Sequence, residues 1–337
     1  LGSNFEKKIE LNKSIKIFIN YLLGPLFFIW LGFSLYHQIR NQPDIHANIA
    51  YIKEAAYGPF AFKFWCVVAL MLVNWGIEAL KWKLLMKPLE DIDYLSAVKA
   101  IFAGVAFALN TPNRIGEYGG RILYIKEGNR LKAVSLTIIG SFSQLIVTLG
   151  FGVVGLLVMQ NDIVTIPVLK HFQWGLKWLP FVVSIVTVAL LLLYFKTSKV
   201  VLHIEKVRFL KKWVQYFSLL EDVSLHILLK VMGLSVIRFL IFCLQYHLLL
   251  QVMHVQMDGF IGFWLVTIIF LMLAIWPTIA LLELGLRWEY NLLLFGLFST
   301  NVVGIYAVAT GIWLINLVLP AIIGTLFMLS VKVFKEA

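Results

Sequence analysis

The chain has 337 residues, of which 61% are hydrophobic and only 14% charged, and its mean hydropathy is +0.87. Those proportions exclude an ordinary soluble domain, which runs near one quarter charged, and demand a solvent other than water around most of the surface. Lys and Arg number 29 against 18 Asp and Glu, a net of +11, and the excess falls in a few connecting segments, where it reports on topology.

Taken in chain order, residues 1–16 carry Lys7, Lys8, Lys13 and Lys16 and are expected in the cytoplasm. An uncleaved first span is expected at 17–36, followed by an outer loop to 63. A second span at 64–82 returns the chain to Lys81, Lys83 and Lys87 on the inside. The apolar segment 98–110 is too short to span comfortably and runs into Pro112, which reads as a re-entrant arm. Spans follow at 134–159 and 178–195, then the densest basic cluster, from Lys196 to Lys212. A fifth span at 228–250 leads to 251–262, which holds no Lys or Arg. A second short segment, 263–276, runs into Pro277, and a long apolar run at 301–331 contains Pro320, which predicts a kink, a tilt or a split. If the first short segment crossed fully, the Lys196–Lys212 cluster would fall outside, so the charge bias favours re-entrance.

The sequence after each short segment is the most informative part of the chain. Pro112-Asn113-Arg114-Ile115-Gly116-Glu117-Tyr118-Gly119-Gly120-Arg121 and Pro277 with Leu282-Glu283-Leu284-Gly285-Leu286-Arg287 both contain Glu-x-Gly-x-Arg, with a proline five or six residues before the Glu. Each copy follows a span and a short arm and precedes another span. That points to duplication, with units at 64–160 and 228–337 separated by 161–227, which holds the fourth span and the basic loop. One hairpin would open inside and the other outside, the inverted arrangement that secondary transporters use to place a site near the midplane.

Ionisable groups at depth cost several kcal/mol unless paired or hydrated, so Glu117, Arg121, Glu283 and Arg287 lead the site candidates. The plainer alternative is that each Glu pairs with its own i+4 Arg and braces the arm. Arg114 adds a cation, Asn110 and Thr111 can cap a helix start, and a broken helix N-terminus would suit a phosphate. Arg238, mid-span with Ser235, Gln245 and Tyr246 at helical spacings, requires an anionic partner: Glu283 or a lipid phosphate. Glu78 with Lys81 and Lys83 reads as a snorkelling interfacial group, and Asn74 and Gln144 as interhelical hydrogen-bonding residues. Gly150-Phe151-Gly152-Val153-Val154-Gly155 matches a dinucleotide fingerprint, but it lies inside an apolar span and reads as helix packing. Cys66 and Cys243 stand alone in apolar runs, so neither a disulfide nor a Cys-based metal site is indicated.

From Pro112 to Glu117, with Arg121 and with Lys81-Trp82-Lys83-Leu84-Leu85 after the second span, the chain resembles the lysylphosphatidylglycerol synthase transmembrane-region family of flippase-like membrane proteins. The likeness in layout covers about residues 10–335. Family members often carry a glycine-rich run before Gly-x-Arg-Glu. Here Ala280 to Glu289 stands in its place, which leaves Glu283 and Glu289 as alternatives for the second acid. In the multiple peptide resistance factor of bacteria, the resemblance implies a membrane domain that translocates aminoacylated phosphatidylglycerol, and the aminoacyl-transferring catalytic domain has no counterpart here.

The expected fold is therefore all-α and polytopic, with about six transmembrane helices and two re-entrant hairpins in an inverted repeat. The expected function is translocation of a phosphate-containing lipid: an aminoacyl-phosphatidylglycerol, a glycolipid or a polyprenyl-phosphate lipid. Asn110, Arg114, Glu117, Arg121, Arg238, Tyr246, Glu283, Arg287 and Glu289 would contact the substrate, with no catalytic residue, metal or cofactor. The alternatives are a membrane enzyme acting on polyprenyl-phosphate sugars and a non-transporting member of a lipid or envelope biosynthesis complex. Expected partners are membrane lipid and either a second copy or a biosynthetic membrane protein, not nucleic acid. The expected location is a bacterial cytoplasmic membrane, both termini inside.

Overall fold

The computed structural model describes residues 54–109, 111, 114–166, 173–196, 223–276 and 280–329. The expected first span, Asn110 and the basic cluster beyond Lys196 lie outside the described residues. Every regular element among those described is helical: α1 (Ala61–Met86), α2 (Tyr94–Leu109), α3 (Gly116–Ile122), α4 (Arg130–Val158), α5 (Gln160–Val164), α6 (Gln173–Phe195), α7 (Leu225–Val252), α8 (Gly259–Ile275), α9 (Ala280–Phe295), α10 (Val302–Trp313) and α11 (Leu319–Leu329). Five stretches are long and apolar enough to cross a membrane, namely α1, α4 with the short 3₁₀ turn before it, α6, α7 and the run from Val302 to Phe327. They fall where the hydropathy placed them, and the short apolar helices α2 and α8 coincide with the two short segments. The molecule is an all-α polytopic membrane protein.

Local chemistry fixes several helix starts. Ser224 Oγ accepts from the Ile227 N–H at 3.4 Å ahead of α7. Asp258 Oδ1 accepts from Phe260 and Ile261 at 2.9 and 3.1 Å ahead of α8, and Asn301 Oδ1 from Gly304 at 2.9 Å ahead of α10. These are N-caps, satisfying donors that have no partner inside the helix. The last run neither splits nor stays regular: a π-helical segment, Leu314–Val318, joins α10 to α11. Pro320 has no N–H to give the Asn316 carbonyl four residues back, so the backbone widens there, and Leu319 donates to Leu314 instead.

The two halves pack reciprocally. Helices α1 and α7 lie against each other, α2 packs on α11, and α8 packs on α4, so each short arm rests on the closing span of the other half. Gly152 and Gly155 make the second of these contacts: a Cβ on Gly155 would stand 2.2 Å from Thr267 Oγ1, and one on Gly152 2.6 Å from Leu271 Cβ. The glycine run in the fourth helix is packing, as its apolar setting predicted. Within the first arm, Gly104 and Gly120 bring α2 and α3 together, since a Cβ on Gly120 would meet the Ala103 carbonyl at 2.6 Å. Helix α6 is peripheral, packs mainly on α4, and leaves Trp174, Trp178 and Phe181 exposed.

Candidate functional site

A cavity of about 510 Å³ lies where the two arms meet. Arg114 and Glu117 reach its wall from the first arm, and Trp276, Glu283 and Arg287 from the second. Glu78 on α1, Gln144 on α4 and Arg238 on α7 stand on the polar wall too; Phe242, Leu273, Trp313 and Leu317 are among its apolar lining. A wall of this mixture accepts an amphiphile rather than a purely polar or purely apolar molecule.

Glu78 is the hub of the polar wall. Its Oε1 accepts from Arg121 Nη2 at 3.0 Å, its Oε2 pairs with Arg238 Nη1, and Lys81 Nζ lies 3.2 Å from Oε2. Glu78 is 6% exposed and Lys81 1%, so the snorkelling interfacial reading of this pair is wrong. Helices α3 and α7 close over the spot and remove the water that an interfacial pair would keep. Lys81 also donates to the Gly140 carbonyl at 3.4 Å. Asn74, Glu78 and Lys81 are spaced i, i+4, i+7, a polar stripe on one face of an apolar helix that the helical period would have revealed.

Arg238 meets Glu78, not the expected Glu283. Its Nε donates to Asn74 Oδ1 at 2.7 Å, Asn74 Nδ2 donates back to the Arg238 carbonyl at 3.3 Å, and Gln144 Oε1 stands 3.5 Å from Nη1. Asn74 and Gln144 thus do the interhelical bonding expected of them. The guanidinium lies over Trp75 and Phe242, 5.4 and 5.7 Å from the ring centres, which fixes its plane. Among the described residues, no hydrogen bond uses its Nη2.

Both i+4 pairs form. Arg121 binds Glu117 as well as Glu78, is buried, and stands behind the cavity wall rather than on it. Arg287 donates to Glu283 Oε1 through Nε at 3.1 Å and Nη2 at 2.6 Å, and through Nη1 to the buried Tyr246 hydroxyl at 3.3 Å. Tyr246 therefore positions Arg287 and does not line the cavity. Glu289 is exposed and away from the wall, so of the two alternatives for the second acid the geometry puts Glu283 at the cavity.

Arg114 differs from every other cation here. It lines the cavity within electrostatic reach of Glu283 and Arg238, yet no described residue accepts a hydrogen bond from its guanidinium, and its Nε is buried without a partner. Its backbone is left-handed, φ 56°, a conformation that costs a side-chain-bearing residue about 1–2 kcal/mol. Ile115 occupies the N-cap of α3 and gives no side-chain bond, so the capping expected of Thr111 is not made there; Thr111 Oγ1 instead accepts from the Gly116 N–H at 2.8 Å, from five residues back. Because α3 has only 7 residues, little macrodipole is available there, and anion attraction falls to the Arg114 side chain rather than to the helix end.

Fold and site together define a polytopic helical membrane protein with a cavity, lined by both charged and apolar side chains, between two short arms. Residues 22–324 match the model of the lysylphosphatidylglycerol synthase TM region, and the chain belongs to that family. No curated protein and no solved structure matches it. Membership ties the chain to membrane lipids.

Proposed function

We propose that the chain is a translocase for a phosphate-bearing lipid, whose headgroup passes through the cavity while its tails stay in the bilayer. The observation that carries this reading is Arg114: a strained, unpartnered guanidinium at the cavity wall, whose natural complement is a phosphate oxygen pair. Strain of this kind persists where it serves a site. Arg238 supports it, with Nε held by Asn74, Nη1 by Glu78, and Nη2 left over among the described residues. The Glu117–Arg121 and Glu283–Arg287 pairs act as braces that keep the arms in register. In this reading the arms are re-entrant hairpins of an inverted repeat, a view supported by their matching motifs and reciprocal packing. The membrane is the bacterial cytoplasmic membrane, both termini inside.

The test is translocation of a fluorescent phosphatidylglycerol in reconstituted vesicles. Arg114→Gln should slow it about tenfold or more at unchanged thermal stability, whereas Lys126→Gln, on an exposed side chain far from the wall, should not. Equal rates for parent and Arg114→Gln would overturn the proposal.

A further inference from the structure

The wall alone balances three arginines against three carboxylates, and it is the two cations bonded behind it, Lys81 and Arg121, that tip the charge the headgroup meets. Among the described residues, the cavity and the network behind it hold five cations, Lys81, Arg114, Arg121, Arg238 and Arg287, against three carboxylates, Glu78, Glu117 and Glu283. Each carboxylate already has its cation: Glu78 three of them, Glu117 Arg121, and Glu283 Arg287. No carboxylate of the wall is left uncompensated to receive an ammonium. Among the described residues, Arg114 is the one wall cation without a hydrogen-bond partner.

Charges at membrane depth interact through a medium far less screening than water, so a surplus of two positive charges favours an occupant that brings negative charge and disfavours one that adds positive charge. We infer that the substrate is a lipid whose headgroup is net anionic, a phosphate not neutralised by an ammonium, and that lipids with an aminoacyl or other ammonium headgroup are rejected. This rests on the reading of Arg114 as the phosphate-binding group. Glu117 and Glu283 each already face an arginine, Arg121 and Arg287.

The experiment is competition in detergent micelles on the full chain, with a tail-labelled fluorescent phosphatidylglycerol as the bound probe. Unlabelled phosphatidylglycerol and phosphatidic acid should displace it, the latter at equal or lower concentration. Phosphatidylethanolamine and lysyl-phosphatidylglycerol should need about tenfold more or above. Inorganic phosphate should not displace it, because it has no tails to anchor it in the surrounding apolar phase beside the wall. Displacement by lysyl-phosphatidylglycerol as efficient as by phosphatidylglycerol, with probe binding still lost in Arg114→Gln, would sink the charge inference and leave the phosphate site standing. Displacement by inorganic phosphate at the same concentration as phosphatidic acid would also sink it, since the site would then select an anion and not a lipid. Probe binding indifferent to Arg114→Gln would remove the phosphate reading and this inference with it.

Discussion

Glu78→Gln is the perturbation on which the architecture of the site depends most. The change keeps volume and removes one negative charge, leaving Lys81, Arg121 and Arg238 buried around a neutral amide. At 3.0 and 3.2 Å, the Arg121 and Lys81 contacts are each worth about 5 kcal/mol of gross Coulomb energy at an effective dielectric constant near 20. Most of that offsets desolvation, and breaking such a cluster from one side costs about 3–5 kcal/mol net. The loss should be measurable by unfolding in mixed micelles, read by a thiol-reactive dye at the free cysteines, half-buried Cys66 and buried Cys243. Adding Lys81→Met removes a cation along with the carboxylate and should recover about half of the loss. A Glu78→Gln protein within about 1 kcal/mol of the parent would refute the reasoning, because it would mean that water or protonation already compensates this carboxylate.

Other expectations follow from single observations. Arg114→Gly and Arg114→Ala should both lose lipid binding, but the glycine variant should be about 1 kcal/mol the more stable, since only glycine occupies φ 56° without strain; equal melting points would remove the backbone argument. Glu283→Gln should impair translocation and Glu289→Gln should not, as only Glu283 reaches the cavity; the reverse result would move the site along α9. Single cysteines at Asn129 and Ser198 should be labelled only from inside, and one at Gln256 only from outside; outside labelling of Ser198 would make the first short arm a full crossing.

Much of the architecture was legible because hydropathy and proline placement are local properties. The long apolar runs among the described residues became α1, α4, α6, α7 and the final helical run with its π-helical segment, and the runs that meet Pro112 and Pro277 became short apolar helices. The i+4 braces were legible for the same reason, as both partners share one helix face. Glu78 was not, because its burial depends on α3 and α7 closing over it from 43 and 160 residues away in the chain. A carboxylate near a helix end beside two lysines looks interfacial until that closure is known. The partner of Arg238 was misjudged likewise: depth demanded an anion, but only packing could choose between Glu78 and Glu283. Nothing local announces the left-handed Arg114, whose backbone is set by how α2 turns into α3.

The exchange of arms between halves has a consequence for how the protein is made. When α2 leaves the ribosome, its resting place on α11 is about two hundred residues from being synthesised. At roughly 5–20 residues per second, that is a wait of about 10–40 s. Throughout that interval a helix of 16 residues, ending beside the charged Arg114–Arg121 segment, has to be sheltered by something other than its final neighbour. The first half is therefore a dependent, not a module: cut between the halves, it should be a substrate for membrane quality control, and supplying the second half as a separate polypeptide should rescue it.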